Sequence, residues 1–176
     1  MADRFIKQSK EIANNFIQNI VFIDDKAYKE DSTNNAFSAL DVSNAFAKTG
    51  KICAIYAPKS VSDIDSYNAI LKKADVVILD WYLDIERDAE QQLDPDADAE
   101  NDEPRGEFTL KLLKQLTSDA GTDKLKLIIV YTGETGISDI KDAIIKKIDS
   151  ESFKDNDYTI KSSNVCIIIR AKAGKK

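Results

Sequence analysis

Four apolar runs in the 176-residue chain each end on a polar side chain suited to phosphate or metal chemistry. They are IVFIDD, ending on Asp24 and Asp25; VVILD, on Asp80; LIIVYT, on Thr132; and CIIIRAK, on Lys172. Carboxylates supply hard oxygen ligands or a nucleophile, a threonine supplies a hydroxyl, and a lysine supplies a point charge for anionic oxygens. Taken singly, most have an ordinary explanation. The acidic pair could cap a helix or make a turn, Thr132 before Gly133 could be a plain turn, and Lys172 could be a solvated surface lysine. Asp80 is harder to dismiss, because Trp81, Tyr82 and Leu83 bring no turn chemistry after it. If the four runs are parallel strands, their carboxyl ends lie side by side, and these side chains share the crevice where open α/β sheets bind ligands.

The elements needed for that arrangement are legible. Apolar runs at 20–23, 52–56, 76–79, 125–131 and 165–169 read as five strands. Helical patterns separate them: one from the DSTNN segment to about residue 49, closed by Gly50, then one beginning at Ser62, one over 108–116 and one over 137–148. Ser62 with Asp65 resembles a capping box, and Ile64, Tyr67 and Leu71 share one helical face. Phe5/Ile6, Ile12/Ala13 and Phe16/Ile17 mark an amphipathic N-terminal helix over residues 3–18, a packing helix or else a dimerisation element. Continuously apolar strands alternating with helices define a doubly wound α/β fold with a parallel sheet covered on both faces. Residues 149–164 are polar, and YTIK within them could add a short strand. No helix pattern follows the fifth strand, so a covering helix is missing and the chain reads as the N-terminal part of a longer protein.

Bulk properties narrow the function. The length fits one domain, spanning 1–176. No apolar stretch is long enough for a membrane span and the charged N-terminus does not suit a signal peptide, so a cytoplasmic location is expected. The net charge of −6 is concentrated in an acidic insertion, 84–105: residues 84–104 hold ten acids against one arginine. The remainder is close to neutral, and no basic, aromatic-interleaved face suggests direct nucleic-acid binding. There is no histidine, which removes imidazole as ligand or general base. Asp94, Asp96 and Asp98 alternate as in a calcium loop, but Ala99 stands where the turn needs glycine and Arg105 where it needs a bidentate glutamate. The insertion reads as a solvated loop beside the site.

In the order Asp24/Asp25, Asp80, Thr132, Lys172, the chain resembles a response-regulator receiver domain of two-component signalling over about residues 18–173. The resemblance implies a flavodoxin-like strand order 2-1-3-4-5, which places Cys53 and Cys166 on opposite sheet edges, too far apart for a disulfide. It implies that Asp80 is the phosphoacceptor, that Thr132 and Lys172 contact the phosphoryl group, and that Mg²⁺ is held by Asp25, Asp80 and the Tyr82 backbone carbonyl, with Asp24 acting through water. It also implies a histidine kinase or phosphotransfer partner, an effector partner, a possible homodimer, and a bacterial phosphoprotein that is a phosphoacceptor with slow self-dephosphorylation at most rather than a turnover enzyme.

Departures from the family pattern keep other readings open. Ala173 replaces the proline usual after the strand-five lysine, Ile169 occupies the aromatic switch position, and Gly106 stands later than the glycine that usually follows the acceptor. A pseudo-receiver that acts as an interaction module without phosphate fits these changes. An aspartate-nucleophile phosphatase of the haloacid-dehalogenase type does not, because Tyr82 and Lys26 occupy the positions where its second aspartate would stand.

Overall fold

Runs of four or five Val, Ile and Leu residues are too short for stable helices and too apolar for one-sided strands, so they are satisfied in a sheet buried on both faces. The computed structural model of the chain describes residues 2–29, 38–86, 105–118, 124–148 and 153–172. The order begins α1 (Ala2–Phe16), β1 (Asn19–Ile23), α2 (Ala39–Ala47), β2 (Ile52–Tyr56), α3 (Val61–Lys73) and β3 (Val76–Asp80). It continues α4 (Glu107–Ser118), β4 (Lys126–Thr132), α5 (Ile137–Lys147), β5 (Lys154–Asn156), β6 (Thr159–Lys161) and β7 (Val165–Ala171). Strands β2-β1-β3-β4-β7 lie parallel in the expected order, with β7 as the anticipated fifth strand. The sheet then continues through β6 and β5, paired antiparallel. YTIK therefore does contribute a strand, and a second one joins it across a turn where Asp157 adopts φ 45°, a conformation that aspartate tolerates better than most residues.

The hairpin changes one expectation. Cys166 on β7 is an interior-strand residue, because β6 covers the edge on which it was expected. Three strands, β1, β3 and β4, still lie between it and Cys53, and both thiols are free.

Register is set at the amino ends of the strands. The Asp75 carboxylate accepts the backbone N–H groups of Gln18 and Asn19, both at 2.9 Å, which ties the start of β1 to the start of β3. Lys126 opens β4 and is buried. Its ammonium donates to the carbonyls of Leu71, Lys72 and Ala74, satisfying groups that the end of α3 leaves unpaired.

Two helix starts differ from expectation. The cap of α3 is Ser60 with Asp63 as its reciprocal partner, two residues before the Ser62/Asp65 pair. Helix α2 is capped by Ser38, so it starts after the DSTNN segment, and residues 31–35 lie outside the described residues.

The sheet divides the apolar residues into two clusters. One face packs Ile23, Val77, Leu79, Ile128, Val130, Ile167 and Ile169 beneath α3, α4 and α5. The other gathers Ile20, Phe22, Val76 and Ile78 with Val42 and Phe46 of α2, and it leaves Leu127, Ile129 and Tyr131 half-buried. Most of the α1 stripe does not pack on the described chain, with Phe5 71% exposed and Ile12 69%, while Ile17, just past the end of the helix, packs against the second cluster. What anchors α1 is its carboxyl end, where the Lys51 ammonium donates to the carbonyls of Asn14 and Ile17.

Directly after Asp80 the chain turns inward on Trp81, which is 3% exposed. Gly106 sits against that indole with φ +91°, and a Cβ there would collide with the ring. Gly106→Ala therefore combines a left-handed penalty with overpacking and should lower unfolding free energy by about 2–3 kcal/mol. Urea unfolding followed by Trp81 fluorescence checks this; an unchanged midpoint would show that the ring moves aside without cost.

Candidate functional site

Adjacency of β1 and β3 puts the acidic residues at one level. Ile23 pairs with Leu79, so the next residues, Asp24 and Asp80, emerge together at the carboxyl ends. Thr132 pairs with Ala171, so Lys172 leaves β7 just beyond the threonine. All five residues expected to converge do so. One oxygen from each of Asp24, Asp25 and Asp80 lies within 4.8 Å of the others, and all three residues are buried. The Lys172 ammonium meets Asp80 Oδ2 at 2.8 Å.

Each carboxylate is held differently. Asp24 Oδ1 accepts the Lys26 backbone N–H at 2.7 Å, and Oδ2 accepts the Tyr131 hydroxyl. Asp25 Oδ2 is 3.3 Å from the largely exposed Lys29 ammonium, and Oδ1 is buried with no hydrogen-bond donor among the described residues. Besides Lys172, Asp80 is stabilised by the Tyr82 backbone N–H. The Asp80 backbone carbonyl accepts the buried Thr109 hydroxyl at 2.6 Å, which pins the strand end to α4.

An orphaned buried carboxylate oxygen among three carboxylates is chemically unfavourable unless a cation supplies the missing partner. The donor set is all oxygen, which suits a hard divalent ion. The residues present therefore fit a metal.

Thr132 is buried, and its hydroxyl accepts the Glu134 N–H at 3.0 Å, which leaves its own proton to donate toward the cleft. The cleft is about 360 Å³ and is lined by Asp80, Thr132, Lys172, Lys26 and Tyr82, with Arg105 and Glu134 at its rim. Arg105 pairs with Glu134 at 3.5 Å. A Cβ on Gly133 would meet nothing nearer than Lys172 Cδ at 4.0 Å, so the backbone there stays open to a bound group. Residues 87–104 of the acidic insertion, including Asp94, Asp96, Asp98 and Ala99, and also Ala173, lie outside the described residues. Ile169 is 1% exposed in the main core, on the opposite face from Tyr131.

Tyr131 is the site residue that sequence reasoning missed. It was read only as the last residue of a strand, where aromatic side chains are common. The available signal was a phenol next to Thr132 at a strand end already marked as chemical. Burial raises its pKa first, and the Asp24 carboxylate raises it further, so the phenol stays protonated and donates.

These features define a class: an α/β domain whose strand ends collect an acidic cluster, a hydroxyl and an ammonium around one cleft. A family model described as a response receiver domain matches residues 16–176. The chain belongs to this receiver family, with the phosphoacceptor signalling role that defines it. No curated protein and no solved structure gives a significant match. Among the described residues, no helix is long and apolar enough to cross a membrane.

Burial pushes the Asp80 carboxyl above its ordinary value of 3.8; the Lys172 ammonium opposes this, and the Asp24 charge adds to it. The folded value then exceeds the unfolded one. As pH rises between the two, the unfolded chain loses its proton first and stability falls; below both, the group takes nothing away. Asp80→Asn cannot titrate. In metal-free buffer its stability advantage over wild type should therefore grow as pH rises from about 4 toward 7, and it should shrink when Mg²⁺ is added. Parallel urea curves for the two proteins across that range, with no change in their separation, would show that Asp80 is not held in this environment.

Proposed function

We propose that Asp80 accepts a phosphoryl group from a phosphohistidine on a partner kinase or phosphotransfer protein, and that the resulting acyl phosphate alters a surface read by an effector. The observation that carries this reading is the 2.8 Å pair between Lys172 and Asp80 inside the acidic cluster, which sets an ammonium beside a nucleophile that burial disfavours as an anion. An Asp80 oxygen attacks phosphorus in line as the phosphorus–nitrogen bond to the partner's imidazole breaks. Lys172 neutralises charge on the transferring oxygens, and Thr132 donates its hydroxyl to one of them. Asp25, Asp80 and the Tyr82 carbonyl would hold a magnesium ion, with Asp24 acting through water, and the ion would supply further charge neutralisation at the transferring oxygens. Residues 1–176 contain no histidine, so the donor imidazole does not come from among them.

The pseudo-receiver reading is favoured by a specific observation. Ile169, where the family's aromatic switch would stand, is sealed in the core and offers no ring to flip. One experiment separates the two readings. With acetyl phosphate and Mg²⁺, the wild-type protein should gain the mass of one phosphoryl group, mapped to Asp80. Asp80→Asn should gain none, and Lys172→Ala should label about 100-fold more slowly. Absence of labelling in wild type, together with no Mg²⁺-dependent change in Trp81 fluorescence, would favour the pseudo-receiver.

A further inference from the structure

Tyr131 contacts several residues of the site. Its hydroxyl donates to Asp24 Oδ2. Its ring lies beneath the Lys172 ammonium, 4.6 Å from centroid to Nζ. Its register partner on β3 is Asp80, its carbonyl accepts the Trp81 N–H at 2.9 Å, and Thr132 follows it in the chain. The ring is braced edge-on by Phe22 at 5.2 Å and 61°. Lys172 stands between two attractions, the Asp80 carboxylate and the aromatic face, and both aim it at the acceptor.

We propose that Tyr131 is a positioning residue with two separable functions: its hydroxyl fixes Asp24 within the acidic cluster, and its ring holds the Lys172 ammonium over Asp80. The inference rests on the receiver reading of the site. The contrast between the two neighbouring carboxylates supports it. Both Asp24 oxygens are committed to protein donors, whereas Asp25 Oδ1 has none. Asp24 is therefore fixed in orientation by the protein, and the hydroxyl that fixes it belongs to the residue that also carries Lys172. A group that orients a metal-site carboxylate acts on metal affinity, while a group that restrains a charge-neutralising lysine acts on the rate of phosphoryl transfer.

Two variants divide these functions. Tyr131→Phe keeps the ring and removes the hydroxyl; Tyr131→Leu removes both. Mg²⁺ affinity is read by calorimetric titration, and the rate of Asp80 labelling by acetyl phosphate is read at saturating Mg²⁺, with urea midpoints measured alongside. Tyr131→Phe should bind Mg²⁺ about tenfold more weakly than wild type yet label at nearly the wild-type rate once Mg²⁺ is saturating. Tyr131→Leu should show the same weakened affinity and, in addition, label about fivefold more slowly at saturation. Adding Mg²⁺ to wild type should also give a tyrosine difference band in the near-ultraviolet that Tyr131→Phe lacks.

The inference is overturned if wild type binds Mg²⁺ and labels while Tyr131→Phe matches its affinity and Tyr131→Leu matches its rate. It is likewise overturned if affinity and rate fall together in both variants in proportion to lost stability, which is the behaviour of a purely structural tyrosine. Failure of wild type itself to bind Mg²⁺ or to label removes the receiver reading, and with it this assignment, and is recognised before any variant is made.

Discussion

Three buried carboxylates within 4.8 Å of one another constitute the constraint around which the rest of the structure is arranged. Like charges in a poorly solvated site repel, and each carboxylate also loses hydration when it is buried. A fold tolerates this only where rigid elements impose it and donors compensate. Here the imposition is topological. The order β2-β1-β3-β4-β7 makes β1 and β3 neighbours, and their parallel register leaves Asp24 and Asp80 no separate places to go. Compensation comes from the Lys26 and Tyr82 backbone N–H groups, the Tyr131 hydroxyl and the ammonium groups of Lys29 and Lys172. Among the described residues Asp25 Oδ1 remains outside that compensation, and this residual imbalance makes the cluster fit a cation.

The scaffold beneath the site is correspondingly stiff. Asp80 is followed by a buried tryptophan seated on Gly106, and its own carbonyl is held by Thr109 of α4. At the other end of the sheet, Asp75 joins β1 to β3 and Lys126 joins β4 to α3. A register slip of a single residue would transfer strand side chains to the opposite face, so these polar ties at the amino ends protect the alignment of the carboxyl ends. The chemistry at one edge of the sheet therefore depends on hydrogen bonds at the other.

Much of this was legible from residue types. A continuously apolar run that stops on Asp, Thr or Lys marks both a buried strand and the polar end of that strand, so the five parallel strands and the five convergent residues could be read together. What escaped notice lacked a distinctive signal. Strand β5 is KDN, fully exposed, and shows none of the apolar pattern by which strands are recognised, whereas its neighbour β6 was legible as YTIK. The cap of α3 was displaced by two residues because SVSDID offers two overlapping serine–aspartate pairs at identical spacing. The stripe on α1 is a true amphipathic pattern, yet it lies exposed, because periodicity reports that a helix has an apolar face and says nothing of what covers it. Tyr131 was overlooked for the opposite reason: a tyrosine in a strand is unremarkable until its hydroxyl is seen against Asp24.

A line of contacts also leads from the site to its surface. With Ile169 sealed in the main core, the aromatic ring of this site stands one strand over, on β4, next to the threonine that faces the cleft. Thr132 accepts the Glu134 N–H, and Glu134 pairs with Arg105, the last residue of the acidic insertion. A group that recruited the Thr132 hydroxyl would therefore act on the loop carrying Glu134, and through it on an ion pair at the mouth of the cleft. Ion pairs at such exposure are weak, since Arg105 is 75% exposed along its side chain, and a weak pair is readily exchanged. The core cluster is close-packed and resists small displacements, whereas the ion pair seen at the rim among the described residues is solvent-exposed.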